Sequence, residues 1–445
     1  MVEEKIFKAY DIRGVYPDQL DEDTAYKIGR AFVTFLKCKE VCVGQDMRTS
    51  SPSLFEALTR GITDQGADVV DIGYCSTPYF YFGTSSYETG MMVTASHNPA
   101  EYNGFKMCRD GTVPIGGDSG IEDIKQLVVS GEFKDPAKKG MITRKDIMQD
   151  FLAHNLKFLK PRKGKRLKLV VDTGNGMGGY TFPKVFETVD AELIPLFFDI
   201  DMSFPNHEAN PLKMENVRDL QKAVVENDAD FGVAIDGDAD RCVFIDEKGE
   251  YISADIMTAL VAKELLKTNP GATILYDLRS SWSAKETIEE NGGRPVTCRV
   301  GHAFIKKQMR EEDALFAGEL SGHFYLKDSF FTESSIISTF IVMNMLDEEG
   351  KTLSELIAPL KRYVASGEIN SEVEDKQGKM DALIKKYEGE AKIISHLDGI
   401  KLEFDDWWFN VRASNTEPLL RLNLEAKTKE KMEEMRDKIL AEIRS

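Results

Sequence analysis

Three stretches of the chain repeat one order of apolar and polar positions. In each, a short apolar run ends at an aspartate: 41–46, 167–172 and 273–277. A helical stretch follows, then a second apolar run at 67–72, 191–198 and 294–300. A third run, at 90–93, 231–235 and 315–317, leads into a polar loop at 94–99, 236–241 and 318–323. Apolar runs this short predict strands buried on both faces. Their alternation with helices predicts parallel sheets covered on both sides. Ligands on such sheets bind beyond the carboxyl ends of the strands, where all three polar loops fall. The repetition itself predicts three like domains.

The last ~80 residues follow another pattern. Asp398-Gly399 suits a turn between strands. Leu420, Leu422 and Leu424 alternate with Arg421, Asn423 and Glu425, as on a half-buried strand. Met432, Met435, Ile439 and Ile443 mark one face of a closing helix. Trp407 and Trp408 read as core, and the charged stretches 372–379 and 385–390 as solvated surface. With 445 residues the chain exceeds one domain. The expected boundaries are 1–147, 148–250, 251–365 and 366–445.

A net charge of −18 argues against general affinity for nucleic acid. It leaves room for a small anion held by a local basic cluster. No stretch is long and apolar enough for a bilayer, and the acidic start lacks the pattern of a secretory leader. Cys38, Cys42, Cys75, Cys108, Cys242 and Cys298 form no CxxC pair. Zinc and disulfide frameworks are therefore not expected, and a cytoplasmic setting is.

The loops then supply chemistry. Residues 94–99, Thr-Ala-Ser-His-Asn-Pro, present the Ser96 hydroxyl beside His97 at a strand end. Alone, that pair reads as an ordinary polar loop, but with three more loops of matching chemistry a hydroxyl so placed can carry a phosphoryl group. Residues 236–241, Asp-Gly-Asp-Ala-Asp-Arg, set three carboxylates on a curling backbone. Oxygen-only ligation favours Mg2+ or Ca2+ over zinc. An EF-hand is the rival reading, but Arg241 stands where that loop needs glycine, and the flanks read as strands. Residues 318–323, Gly-Glu-Leu-Ser-Gly-His, offer Glu319, Ser321 and His323, a mixed donor and acceptor set suited to vicinal hydroxyls. Residues 412–418, Arg-Ala-Ser-Asn-Thr-Glu-Pro, combine an arginine fork with small polar groups suited to phosphate. Smaller basic candidates are Arg13, Lys106, and His302 with Lys306; His154, His207 and His396 read as structural.

In this order and spacing the four loops resemble those of the α-D-phosphohexomutase superfamily across nearly the whole chain, most closely its phosphomannomutase/phosphoglucomutase group. The resemblance implies an α/β protein: three similar mixed-sheet α/β domains plus a smaller C-terminal α+β domain around a central cleft. It implies that Ser96, as a phosphoserine, exchanges its phosphoryl group with a hexose phosphate through a hexose 1,6-bisphosphate. Asp236, Asp238 and Asp240, with Ser96, would hold Mg2+. Arg13, His97, Lys106, Arg241 and His302 would serve the transfer. Tyr10, Glu319, Ser321, His323, Arg412, Ser414, Asn415, Thr416 and Arg421 would bind substrate. The implied partners are hexose phosphates, with neither nucleic acid nor membrane, for a monomer or homodimer. Phosphoglucosamine mutases are the nearest alternative, but tend to carry Gln at the place of Leu320 and Gly at that of Asn415. Phe105 also leans toward the mannose/glucose group. Many relatives follow the sugar loop with Asp-Gly, where this chain has Asp328-Ser329. A phosphoserine hydrolase and a non-catalytic sugar-phosphate binder remain as readings from other classes.

Overall fold

The computed structural model describes residues 2–414 and 418–445. Each repeat forms one sheet around the same three-strand parallel core. In the first unit, Glu40–Gln45 lies between Gly90–Val93 and Asp68–Tyr74. In the second, Leu167–Asp172 lies between Phe231–Ile235 and Ala191–Leu196. In the third, Thr273–Asp277 lies between Phe316–Gly318 and Arg294–Cys298.

The sheets are mixed rather than purely parallel. After each polar loop the chain turns straight back as an antiparallel strand: Tyr102–Arg109, Cys242–Asp246 and Phe324–Leu326. No helix intervenes, so each polar loop is a hairpin connection rather than a strand-to-helix crossover. The repeated aspartate has a structural cause. Oδ1 of Asp46, Asp172 and Asp277 accepts the backbone N–H two residues on, from Arg48 (3.0 Å), Gly174 (2.8 Å) and Arg279 (2.7 Å). Each carboxylate thus ends its strand in a side-chain-closed turn.

The helix Ser335–Glu349 is apolar on every side, with Ile336, Ile337, Phe340, Ile341, Val342, Met343, Met345 and Leu346 all buried. Such a helix belongs inside a core. One continuous core runs from the first unit into the second and third, from Cys42 through Phe182 and Phe244 to Leu360. The first unit keeps a further core of its own, from Ile6 to Val128, and the fourth unit has a separate one, from Val373 to Ile443.

In that unit Leu419–Ala426 pairs antiparallel with Trp407–Ala413 and Ile369–Glu372, and Lys429–Arg444 closes it with Met432, Met435, Ile439 and Ile443 buried. Trp407 is core, stacked on Phe404 with ring centroids 4.2 Å apart. Trp408 is buried but lies outside that core, with Nε1 donating to Glu425 at 2.9 Å beside Trp282. The charged stretches expected at the surface in part form a helix, Lys376–Tyr387, which buries Met380, Leu383 and Tyr387.

Candidate active site

Ser96 follows the strand Gly90–Val93 and is 4 % exposed, with its backbone in the left-handed region at φ 52°. Its Oγ lies 3.1 Å from His97 Nδ1 and donates to Asp236 Oδ2 at 3.1 Å. The first and second units therefore meet at this hydroxyl. The meeting depends on a glycine, because a Cβ on Gly237 would lie 2.5 Å from the Ser96 carbonyl oxygen. Arg241 foremost, and then burial, hold the His97 imidazole well below its usual range. A neutral ring can accept the serine proton at Nδ1.

Asp236, Asp238 and Asp240 are buried, each with a carboxylate oxygen within 4.8 Å of the others. Burial, and then the two neighbouring carboxylates, raise Asp236 well above the usual carboxylate range. Burial also works against ionisation of Asp238 and Asp240, but Lys106 together with Thr77 at Asp238, and with His323 and Arg241 at Asp240, outweighs it and both stand below that range. Lys106, on Tyr102–Arg109, bonds to both, with Nζ 2.6 Å from Asp238 Oδ2. Thr77 adds an Oγ1 bond of 2.6 Å to the same oxygen. Asp238 Oδ1 is buried without a hydrogen-bond partner. An unsatisfied buried carboxylate oxygen beside a suppressed acid, in an all-oxygen donor set, fits a hard divalent cation.

The third unit's loop lies against this centre. His323 bridges the two, with Nε2 3.5 Å from Asp240 and Nδ1 3.1 Å from Glu319. Burial opposes its charge, but the two carboxylates prevail and raise it to about 9. The ring is therefore an imidazolium. Ser321 Oγ lies 2.8 Å from His323 Nδ1. Glu319 is held well down despite its burial, with His323 the main cause. It accepts from the Gly301 amide at 3.1 Å and from the Tyr325 hydroxyl at 3.0 Å. Arg241 Nε lies 3.7 Å from Asp236.

Arg13 donates to Asn98 Oδ1 at 2.7 Å and pairs with Asp11. Tyr10 from the first unit packs on His302 and Phe304 of the third, at 5.8 and 5.6 Å between ring centroids. His302 opens the helix His302–Glu311; burial, and then Lys306 and Lys106, keep it neutral, and its Nδ1 has no hydrogen-bond partner. Lys306 reaches this centre only through Glu333, whose carboxylate lies within 4.8 Å of Asp240 and His323. It is fully buried in an ion pair with Glu333 at 2.8 Å and lies over the Tyr81 ring, because a buried ammonium needs its counter-charge.

In the fourth unit Arg412 and Arg421 face each other across an antiparallel pair. Glu368 offsets their like charges, 3.4 Å from Arg412 and 3.1 Å from Arg421. Arg279 of the third unit reaches the same carboxylate at 3.4 Å. Ser414 is buried, and its carbonyl accepts from Lys376. Asn415 and Thr416 lie outside the described residues.

Sequence reasoning passed over Arg48, Thr77, Arg279 and Glu368. For two of them a signal was present. Asp-x-Arg recurs at the end of the first strand in two repeats, as Asp46-Met-Arg48 and Asp277-Leu-Arg279. Two of the histidines read as structural make packing or polar contacts, His154 stacked on Phe330 at 5.1 Å and His207 3.1 Å from Asp172, while His396 is exposed.

Three like α/β units and a smaller α+β unit, carrying these loops on adjoining faces, define the class of four-domain phosphohexomutases. Models of phosphoglucomutase/phosphomannomutase match in sequence: alpha/beta/alpha domain I over 4–135, domain II over 148–249, domain III over 253–363 and the C-terminal domain over 368–442. The chain belongs to the phosphoglucomutase/phosphomannomutase family, and it is a mutase enzyme. It is 40% identical over 431 residues to a phosphomannomutase of Escherichia coli (strain K12), covering 95% of this chain and 94% of that one. It is 41% identical over 442 residues to a phosphomannomutase of Methanocaldococcus jannaschii, covering 98% and 97%. A crystal structure of a Burkholderia thailandensis phosphoglucomutase/phosphomannomutase family protein superposes with a TM-score of 0.92. The two are 33% identical, covering 99% of this chain and 97% of that one.

Proposed function

We propose that this enzyme interconverts hexose 1-phosphates and hexose 6-phosphates through a phosphorylated Ser96 and a hexose 1,6-bisphosphate. The carrying observation is the placement of Ser96 Oγ, 3.1 Å from both a neutral imidazole and one of three converging carboxylates. In the forward half-reaction the Ser96 O–P bond breaks, a bond forms from phosphorus to the free sugar hydroxyl, and that hydroxyl's proton passes to a protein base. The bisphosphate then turns end for end and returns its other phosphoryl group to Ser96. Asp236, Asp238, Asp240 and Ser96 would hold Mg2+, which when bound supplies positive charge beside the transferring group. Arg13, Lys106 and Arg241 add fixed positive charge around Ser96. His97 and His302, both neutral, are the groups able to take the proton. Tyr10, Glu319, Ser321 and His323 face the sugar, while Arg412, Ser414, Asn415, Thr416 and Arg421 hold the phosphate that is not reacting.

Because one serine serves both ends, sugar contacts fall on hydroxyls near the middle of the molecule. The 2-hydroxyl is read loosely, so mannose and glucose phosphates are both substrates, and glucosamine phosphate a slower one. A coupled assay on the three 1-phosphates, with and without added bisphosphate, tests this reading. Turnover of mannose and glucose phosphates, stimulated by bisphosphate, supports it. Strong preference for glucosamine phosphate overturns the substrate assignment, and release of inorganic phosphate alone overturns the mutase mechanism.

A further inference from the structure

Arg48 is 1 % exposed. Its guanidinium is spent almost wholly on the loop that carries Ser96. Nη2 donates to the carbonyls of Ser96 (2.8 Å) and Asn98 (2.8 Å), and Nη1 to those of Pro99 (2.8 Å) and Tyr102 (3.1 Å). Nε lies 3.2 Å from Asp46 Oδ2, and the Phe204 ring of the second unit covers the guanidinium at 5.6 Å. Four donors in a rigid plane thus meet four carbonyls between Ser96 and Tyr102, while Nε stands in ion-pair range of one carboxylate without a hydrogen bond to it. The anchor is itself fixed, since Asp46 Oδ1 accepts from the Arg48 amide at 3.0 Å and from Ser51 Oγ at 2.5 Å.

The loop needs such a clamp. Ser96 sits in the left-handed region, where a non-glycine residue is strained and stays only if its surroundings hold it. Its amide is tied to Thr94 Oγ1 at 3.0 Å, and its carbonyl is tied by Arg48. Released, the peptide at Ser96 would rotate and carry Oγ away from Asp236 and His97.

We propose that Arg48 is the positioning residue of the transfer loop, holding Ser96 in the strained conformation that aims its hydroxyl at the reacting phosphoryl group. The proposal rests on Ser96 being the group that carries phosphate. Lysine at this position would keep the charge but present one point of donors, which cannot span four carbonyls.

The test compares the wild-type protein with Arg48→Lys and, as a milder change, Asp46→Asn. Amide hydrogen exchange of peptides over 94–104 reads the clamp, and steady-state kinetics with mannose 1-phosphate read its use. In Arg48→Lys, exchange over 94–104 should quicken while the rest of the first unit keeps its protection. The value of kcat should fall roughly 100-fold while KM stays within about threefold, the cost of a misaimed reacting group. Asp46→Asn should shift both readouts the same way by less. Wild-type exchange at 94–104, an unchanged kcat, or a raised KM with kcat intact would each overturn the role of Arg48. If Arg48→Lys loses protection throughout the unit, Asp46→Asn decides by the same criteria. An inactive wild-type protein would overturn the mutase reading instead, and exchange at 94–104 would still decide whether Arg48 holds the loop.

Discussion

Replacing Ser96 by alanine removes the hydroxyl placed against both His97 and Asp236. Turnover should fall by on the order of 10⁴-fold or more, as when a nucleophile is deleted. Intact-mass analysis should also show the loss of a covalent phosphate that the wild-type protein carries. Arg412→Ala should act on binding. Losing a charge-assisted bond to phosphate, about 1.5–3 kcal/mol, raises KM roughly ten- to a hundredfold. An unchanged KM for mannose 1-phosphate would place the non-reacting phosphate elsewhere. At this scale legibility followed distance along the chain. Asp236, Asp238 and Asp240 are neighbours in sequence and could be read together. Thr77 and Asp238 are 161 residues apart, and Arg48 lies 48 residues from Ser96, so nothing local announces either partnership.

Among the elements, the helices Glu22–Leu36 and Ser51–Asp64 cross where Gly61 leaves no room, since a Cβ there would lie 2.1 Å from the Tyr26 carbonyl oxygen. Gly61→Ala should force them apart and cost about 1–3 kcal/mol, seen as a lower denaturant midpoint with unchanged slope. No shift in midpoint would mean that the contact yields freely. Elements with strong apolar signatures were legible, and all three parallel cores lie where the apolar runs predicted them. The helix Lys376–Tyr387 was not, because Met380, Leu383 and Tyr387 are its only buried positions in a run of lysines and acids. The antiparallel strands were hidden differently. What makes them antiparallel is the shortness of the turn before them, and the polar loops gave no sign of that.

For the molecule as a whole, the carboxylate cluster implies dependence on a divalent cation. EDTA should abolish turnover and excess Mg2+ should restore it, with zinc a poor substitute because Asp236, Asp238 and Asp240 offer only oxygen. Full activity of Asp238→Ala in excess chelator would remove the metal from the mechanism. How the fourth unit is fastened was not visible in the sequence, since its contacts are polar and long-range: Trp282 to Glu403 and Glu425, and Arg279 to Glu368.

The shared interior beneath the first three units means that sheets and cooperative units do not coincide. The all-round apolar helix Ser335–Glu349 cannot lose its neighbours on one side without exposing the other, and the first unit adds Cys42, Phe80 and Met92 to the same interior besides keeping a core of its own from Ile6 to Val128, so those units should melt together. The fourth, with a separate interior from Val373 to Ile443 and a polar seam, should melt on its own. Scanning calorimetry should therefore resolve two endotherms, the smaller from the C-terminal unit. A single endotherm with equal calorimetric and van't Hoff enthalpies would show instead that the polar seam transmits unfolding as well as a hydrophobic one does.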